Sequence, residues 1–159
     1  MHQSVYDYVQ SMVTYYGVAT EKTLEVGSYN ENGSVRDLFR GPYTGVDMRE
    51  GAGVDLVMEA AFLRFPDNSF GVVLSTEMLE HDPRPWQSVK EMARVLEPGG
   101  YLIMTARGYG YPKHDYPSDY WRFSVEGFEV LLADVGLIPL DIREDPQVSG
   151  VFAVAQKGA

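Results

Sequence analysis

A chain of 159 residues with 45% hydrophobic content can hold one hydrophobic core and is too short for two ordinary domains. Its formal charge of −10 repels polyphosphates at long range, so nucleic acid is not an expected partner, and the absence of cysteine rules out disulfides, thiolate metal sites and a cysteine nucleophile. Residues 1–17 have no basic leader before an apolar run, and no stretch reaches the roughly 18 apolar residues of a membrane span, so the expectation is a soluble, cytoplasmic protein with no membrane partner.

Residues 2–16 set Val5, Tyr8, Val9, Met12 and Tyr15 or Tyr16 at spacings of three and four, which predicts an amphipathic helix closed by Gly17. It either packs against the domain or covers a ligand. Residues 23–26 read as a short buried strand, and beyond a polar loop residues 34–40 read as a helix with Val35, Leu38 and Phe39 inward. Apolar runs at 43–46, 54–58, 72–75 and 101–105 are candidate buried parallel strands. Between the last two, Trp86, Val89, Met92, Ala93 and Leu96 form a helical stripe that stops at Pro98, Gly99 and Gly100. A further helix is predicted over 125–135, with Ser124 as N-cap and Gly136 as stop, followed by two strands at 138–142 and 151–155 around the turn-rich REDPQVSG.

Strands alternating with helices predict an α/β fold, Rossmann-like, with a mostly parallel sheet and a terminal antiparallel hairpin strand. The segments 49–53 and 62–70 are near or below the length needed for a helix plus loops. Either the crossover helices are trimmed or the strand register is misread.

In open α/β sheets ligands sit outside the carboxyl ends of the strands. The polar residues at those ends are Glu25 and Gly27, Asp47, Glu59, then Ser75, Thr76 and Glu77, and finally Arg107. Asp47, ending the second strand in YTGVDMRE, is placed to accept hydrogen bonds from both hydroxyls of a ribose, the alternative being a solvated loop carboxylate. Gly27 allows the backbone to pass close to a ligand and Gly33 allows the loop to enter the helix at Ser34, unless both are plain turn glycines.

Taken together, LEVGSYNENGSVRDLF, GVDMREG, MEAAFLRFPDNSFGVVLSTEMLEH, EMARVLEPGGYLIM and DYWRFSVEGFEVLLADVGL resemble class I S-adenosylmethionine-dependent methyltransferases, in the group acting on small molecules. The resemblance runs from about residue 22 to the C-terminus, and its most specific part is PDNSF, an apolar strand, EMLEH, a helix and LEPGG. It implies S-adenosylmethionine as cofactor and S-adenosylhomocysteine as product. It further implies that Glu25 and Gly27 lie against the methionine moiety, that Asp47 binds the ribose, and that Met48 packs on the adenine. Glu59 would accept from the adenine amino group, the Ala60 N–H would meet a ring nitrogen, and Thr76 would hold the methionine amino group through its backbone. The family's first loop reads acidic, x, Gly, x, Gly, x, Gly. Here Tyr29, Asn30 and Glu31 stand for one glycine, so the loop is about two residues longer, and Glu31 is unwelcome beside a pyrophosphate but not beside a sulfonium. Tyr29 points either toward the positive sulfur or outward to solvent.

Residues 107–123, RGYGYPKHDYPSDYWRF, lack apolar periodicity and are rich in aromatics, which reads as an acceptor-side lid or, alternatively, as an aromatic plug against the N-terminal helix. Methyl transfer is an in-line displacement, driven by alignment and water exclusion, with a general base needed only when the acceptor must lose a proton early. His114 and Asp115 in the lid, then His81 in EMLEH, are the candidates, set against solvation for His114 and loop organisation for His81. Asp119 and Arg122 read as an ion pair anchoring the lid, or Arg122 as a partner for an anionic acceptor. No metal ligands are assigned. The expected organisation is one domain over 1–159, with an N-terminal helix at 1–17 and a Rossmann-like core at 22–159. The expected activity is methyl transfer to an oxygen or nitrogen of a small molecule. A non-catalytic cofactor-binding domain is the alternative, a nicotinamide-dependent oxidoreductase lacks its G-x-G-x-x-G, and a homodimer is a further expectation.

Overall fold

The computed structural model describes residues 1–114 and 118–159. Strand β1 (Thr23–Val26) sits between β2 (Tyr43–Asp47) and β4 (Phe70–Thr76), with β3 (Leu56–Val57) at the edge beyond β2. On the other side follow β5 (Leu96–Arg107), β7 (Gly150–Lys157) and β6 (Leu137–Glu144), giving the order β3-β2-β1-β4-β5-β7-β6. Strands β1 to β5 pair in parallel, and β7 runs antiparallel between β5 and β6, so the terminal hairpin supplies the antiparallel member. Strand β4, FGVVLST, is buried along almost its whole length, as a continuous apolar run covered on both faces should be.

Helix α1 (Gln3–Tyr16) lies on one face, packing Val5, Tyr8, Val9 and Val13 against Val72, Leu74, Ile103, Phe152 and Val154. Tyr8 stacks on Phe152 with ring centroids 4.7 Å apart. The stripe is the one read from the sequence, with Tyr16 and not Tyr15 packed against the core, and Val13 is buried with it. Gly17, at φ +67°, ends the helix in the left-handed conformation and donates its N–H to the last carbonyls. Helices α2 (Pro85–Val95) and α3 (Val125–Asp134) cover the opposite face. The Ser124 hydroxyl accepts from the Gly127 N–H at 3.1 Å, the predicted cap.

The crossovers around β2 and β3 are trimmed, and the strand register stands. The helix expected over residues 34–40 is only a 3-10 turn, Arg36–Leu38. Arg40 and Gly41 donate their N–H groups to the Ala19 carbonyl at 2.7 and 3.2 Å, and Pro42 follows, so the chain is drawn out before a second turn can form. Val35 and Phe39 are nonetheless buried, as the apolar spacing required. The strand expected over 54–58 shrinks to two residues, both 46% exposed, because no helix covers that edge. Among the described residues no helix is long and apolar enough to cross a membrane.

Candidate functional site

A cavity of about 660 Å³ opens at the carboxyl ends of β1, β2 and β4, beside the point where strand order reverses. The described residues expected to bind the cofactor or to act as general base all line it: Glu25, Gly27, Tyr29, Gly33, Asp47, Met48, Glu59, Ala60, Thr76, His81 and His114, whereas Ser75 and Arg107 do not. Asp115 lies outside the described residues.

The Asp47 carboxylate accepts from the backbone N–H groups of Arg49 at 3.0 Å and Tyr29 at 3.4 Å, so it is held in place and is not a solvated loop carboxylate. Glu25 is buried, and its carboxylate accepts from the Tyr43 hydroxyl at 2.7 Å. Burial pushes its pKa up to about 7, against the opposing effect of that hydrogen bond. Glu59 ion-pairs with Arg84 at 3.2 Å at the exposed rim, and Met48, also in the lining, is exposed.

The lengthened first loop folds on its own side chains. Asn30 accepts the Gly33 N–H at 2.9 Å, and the Asn30 N–H reaches the Ala52 carbonyl at 2.8 Å. Tyr29 lies under the Arg49 guanidinium, 4.3 Å from ring centroid to Cζ, and packs over Gly51. The ring thus packs against the β2 end of the loop at the cavity wall. Gly27, at φ +84°, leaves room for the Met78 side chain, which a Cβ would strike, so the close approach it permits is to protein. Gly33 enters no helix, since the helix that it was expected to open is absent.

In the lid, Arg122 is fully committed to the loop. It pairs with both Asp119 oxygens and donates to the carbonyls of Tyr111 at 3.1 Å, Pro112 at 3.0 Å and Trp121 at 2.7 Å. The pairing holds the Asp119 carboxyl well below the usual carboxylate range. The anchoring reading of Arg122 therefore applies, and the anionic-acceptor reading does not. Of the lid aromatics, Tyr111 lines the cavity and bonds His2 through its hydroxyl at 3.0 Å, whereas Tyr109 is 93% exposed and Trp121 donates to the Asp82 carbonyl at 2.8 Å. Tyr116 lies outside the described residues. His81 Nδ1 bonds the Ser118 carbonyl, and the His114 ring stands edge-on to it with centroids 4.5 Å apart. Burial and the His81 ring lower the His114 pKa, leaving a neutral imidazole with a lone pair at neutral pH.

The sequence placed Glu77 and Arg107 at strand ends but did not disclose the buried polar network that they form with Asp145, nor the buried Glu80. Arg107, at the end of β5, is buried between Glu77 and Asp145, and Asp145 also accepts from Ser4 at 2.9 Å. Glu80 is buried beside the two histidines, with its pKa pushed up to about 8 chiefly by burial. Its adjacency to His81 in EMLEH was the available signal.

The sheet order and the strand-end cavity lined by carboxylates define a methyltransferase-type α/β fold. Residues 27–104, just under half of the chain, match the family model of a methyltransferase domain, in keeping with the resemblance to class I S-adenosylmethionine-dependent methyltransferases. A fatty-acid O-methyltransferase from Mycolicibacterium smegmatis is 34% identical over 116 residues, covering 63% of this chain and 41% of that protein. The chain spans less than half the length of the curated relatives it matches. The 1,6-didemethyltoxoflavin-N1-methyltransferase of Burkholderia thailandensis, solved with its substrate and S-adenosylhomocysteine, superposes with a TM-score of 0.79 at 16% identity, over 98% of this chain and 79% of that one. The [4+2]-cyclase SpnF superposes with a TM-score of 0.75 at 18% identity over 96% of this chain and 82% of that one, so the fold by itself does not fix a reaction.

The family's cofactor is S-adenosylmethionine. It is a cationic, phosphate-free ligand, and the donor set suits it. Carboxylates end β1 and β2 and follow β3, the lining arginines Arg49 and Arg84 sit against Asp47 and Glu59, and the buried Ser28 hydroxyl at the cavity wall has no hydrogen-bond partner among the described residues.

Proposed function

We propose that this chain transfers the methyl group of S-adenosylmethionine to an oxygen or nitrogen of a small-molecule acceptor. The observation that carries the reading is the convergence of Glu25, Asp47 and Glu59, from three neighbouring strand ends, on one cavity. In this reading Asp47 takes the ribose hydroxyls, Met48 and Ala60 flank the adenine, Glu59 accepts from its amino group, and Glu25, Gly27 and Thr76 surround the methionine portion. The bound cofactor supplies an electrophilic methyl group on a sulfonium.

The chain's own residues then have three tasks. The strand-end groups orient the donor, so that part of the barrier is met by alignment. Tyr111, tied to His2, closes the acceptor side against water. His114 is the described residue best suited to take a proton from the acceptor, because its imidazole is neutral and lines the cavity, with Asp115 and His81 as the other candidates. The small-molecule class draws support from the names of the two methyltransferases compared above, whose substrates are a fatty acid and 1,6-didemethyltoxoflavin.

Calorimetric titration with S-adenosylmethionine, S-adenosylhomocysteine and NAD tests the reading. Binding of the two sulfur ligands without NAD is expected. If neither sulfur ligand binds, the chain is a non-catalytic domain that has kept only the fold.

A further inference from the structure

Glu80 has 0% exposure, and neither of its carboxylate oxygens has a hydrogen-bond partner among the described residues. Leaving a buried polar group unsatisfied costs about 1–3 kcal/mol. The environment of Glu80 is therefore incomplete as protein alone. His114 Nε2 is likewise buried and unpartnered, and it lies 4.0 Å from Glu80 Oε1, too far for a hydrogen bond to satisfy either atom. The third group is His81. The Ser118 carbonyl that faces its Nδ1 can only accept, so the proton sits on Nδ1 and the lone pair on Nε2. A backbone carbonyl fixing one ring nitrogen in this way is the usual support for a histidine that ligates metal through the other. One donor atom from each of Glu80, His81 and His114 lies within 4.8 Å of the others.

We propose that Glu80, His81 and His114 bind a divalent first-row transition ion, zinc being the probe of choice, on the acceptor side of the cavity. Bonds of about 2.0–2.2 Å place such an ion between donors roughly 3–4 Å apart, a contraction within reach of side-chain rotation. Two imidazoles and one carboxylate suit zinc or iron(II), whereas calcium and magnesium prefer oxygen donors throughout. The neighbouring cations do not oppose an ion, since Arg107 is paired with Glu77 and Asp145, and Arg122 with Asp119. The ion also gives the buried Glu80 carboxylate a directly bound counter-charge, where Arg107 acts on it only through space.

His81 and His114 line the cavity, so three protein ligands leave coordination positions turned toward the acceptor. An acceptor hydroxyl bound there would be acidified and held as its alkoxide, with the proton leaving to solvent, and this consequence rests on the methyl-transfer reading. The ion would then replace the histidines as the agent of proton removal.

The test is competition for Zn²⁺ between chelator-stripped protein and a chromophoric chelator, together with the visible absorption of the Co²⁺-loaded protein. Wild type should take up one tight equivalent. Glu80→Gln, which removes a buried acid without removing bulk, and His114→Ala should each weaken Zn²⁺ by roughly 100-fold or more and abolish the Co²⁺ bands of the site. His2→Ala should retain it, since His2 is the remaining histidine and is outside the cluster. No tight equivalent in wild type, or variants that bind as tightly as wild type, would overturn the proposal. Neither methyl donor nor acceptor is present in this measurement, and no metal in the calorimetry above, so the two readings fail separately.

Discussion

At the end of β2 the Asp47 carboxylate already holds two backbone N–H groups, which fixes its direction and leaves lone pairs for a ligand. Asp47→Ala is expected to weaken S-adenosylmethionine binding by about tenfold or more, because hydrogen bonds to a charged group worth roughly 1.5–3 kcal/mol are lost. Unchanged affinity in a folded variant, read by calorimetry, removes Asp47 from the ribose. Glu25 gives a second prediction, on stability. Its folded pKa, about 7, lies above its ordinary value of 4.5, so the folded state binds the proton more tightly and the stability this contributes is lost as pH rises from 4.5 through 7. Glu25→Gln should therefore match wild type near pH 4 and exceed it above pH 7 by on the order of 3 kcal/mol. A difference in melting temperature that does not change with pH would mean that ionisation of Glu25 is not the cause. Glu25 and Asp47 were legible in the sequence because strand-end carboxylates follow from strand boundaries. Glu80 was not, because its burial comes from the turn after β4 folding back under the lid, a tertiary event that five residues of EMLEH do not encode.

Elements with their own stop signals were read well, and elements that depend on neighbours were not. Gly17, Ser124 and Gly136 end or begin helices through backbone conformation and capping, which are local. The segment 34–40 has helical spacing, yet hydrogen bonds to Ala19 from another part of the chain override it. The lid is intermediate: its irregularity was legible, but its anchoring depends on Arg122 reaching three carbonyls as well as Asp119. Replacing Arg122 by Met should leave the Asp119 carboxylate without its charged partner and with only the His114 N–H, at 2.8 Å, to bond it, at a cost of about 3 kcal/mol. Amide exchange should accelerate across 108–114 and 118–123 while β4 and β5 keep their protection. Uniform acceleration throughout the sheet would show that Arg122 supports the whole fold and not the lid.

For the molecule as a whole, alternation of strands and helices foretold a parallel sheet with a terminal antiparallel strand, and the thin connections foretold trimmed crossovers. What alternation did not disclose is how unevenly the sheet is covered. Helices α2 and α3 share one face, whereas the described contacts on the other fall largely to α1, which seals Val72, Leu74, Ile103, Phe152 and Val154. The same helix brings Met1 and His2 to the cavity, so packing and site geometry are joined at the start of the chain. Val9, fully buried at the middle of α1, is the place to test this. Val9→Ala should cost about 1–3 kcal/mol by loss of buried methyl groups, and Val9→Asp should cost more, since an unpaired charge must either be buried or displace the helix. If α1 joins the two roles, Val9→Asp should also lower affinity for S-adenosylmethionine at a temperature where the sheet remains folded, in parallel with increased binding of an apolar dye to the uncovered face. A variant that loses stability but keeps full affinity would assign α1 to packing alone and free the cavity from dependence on the N-terminal helix.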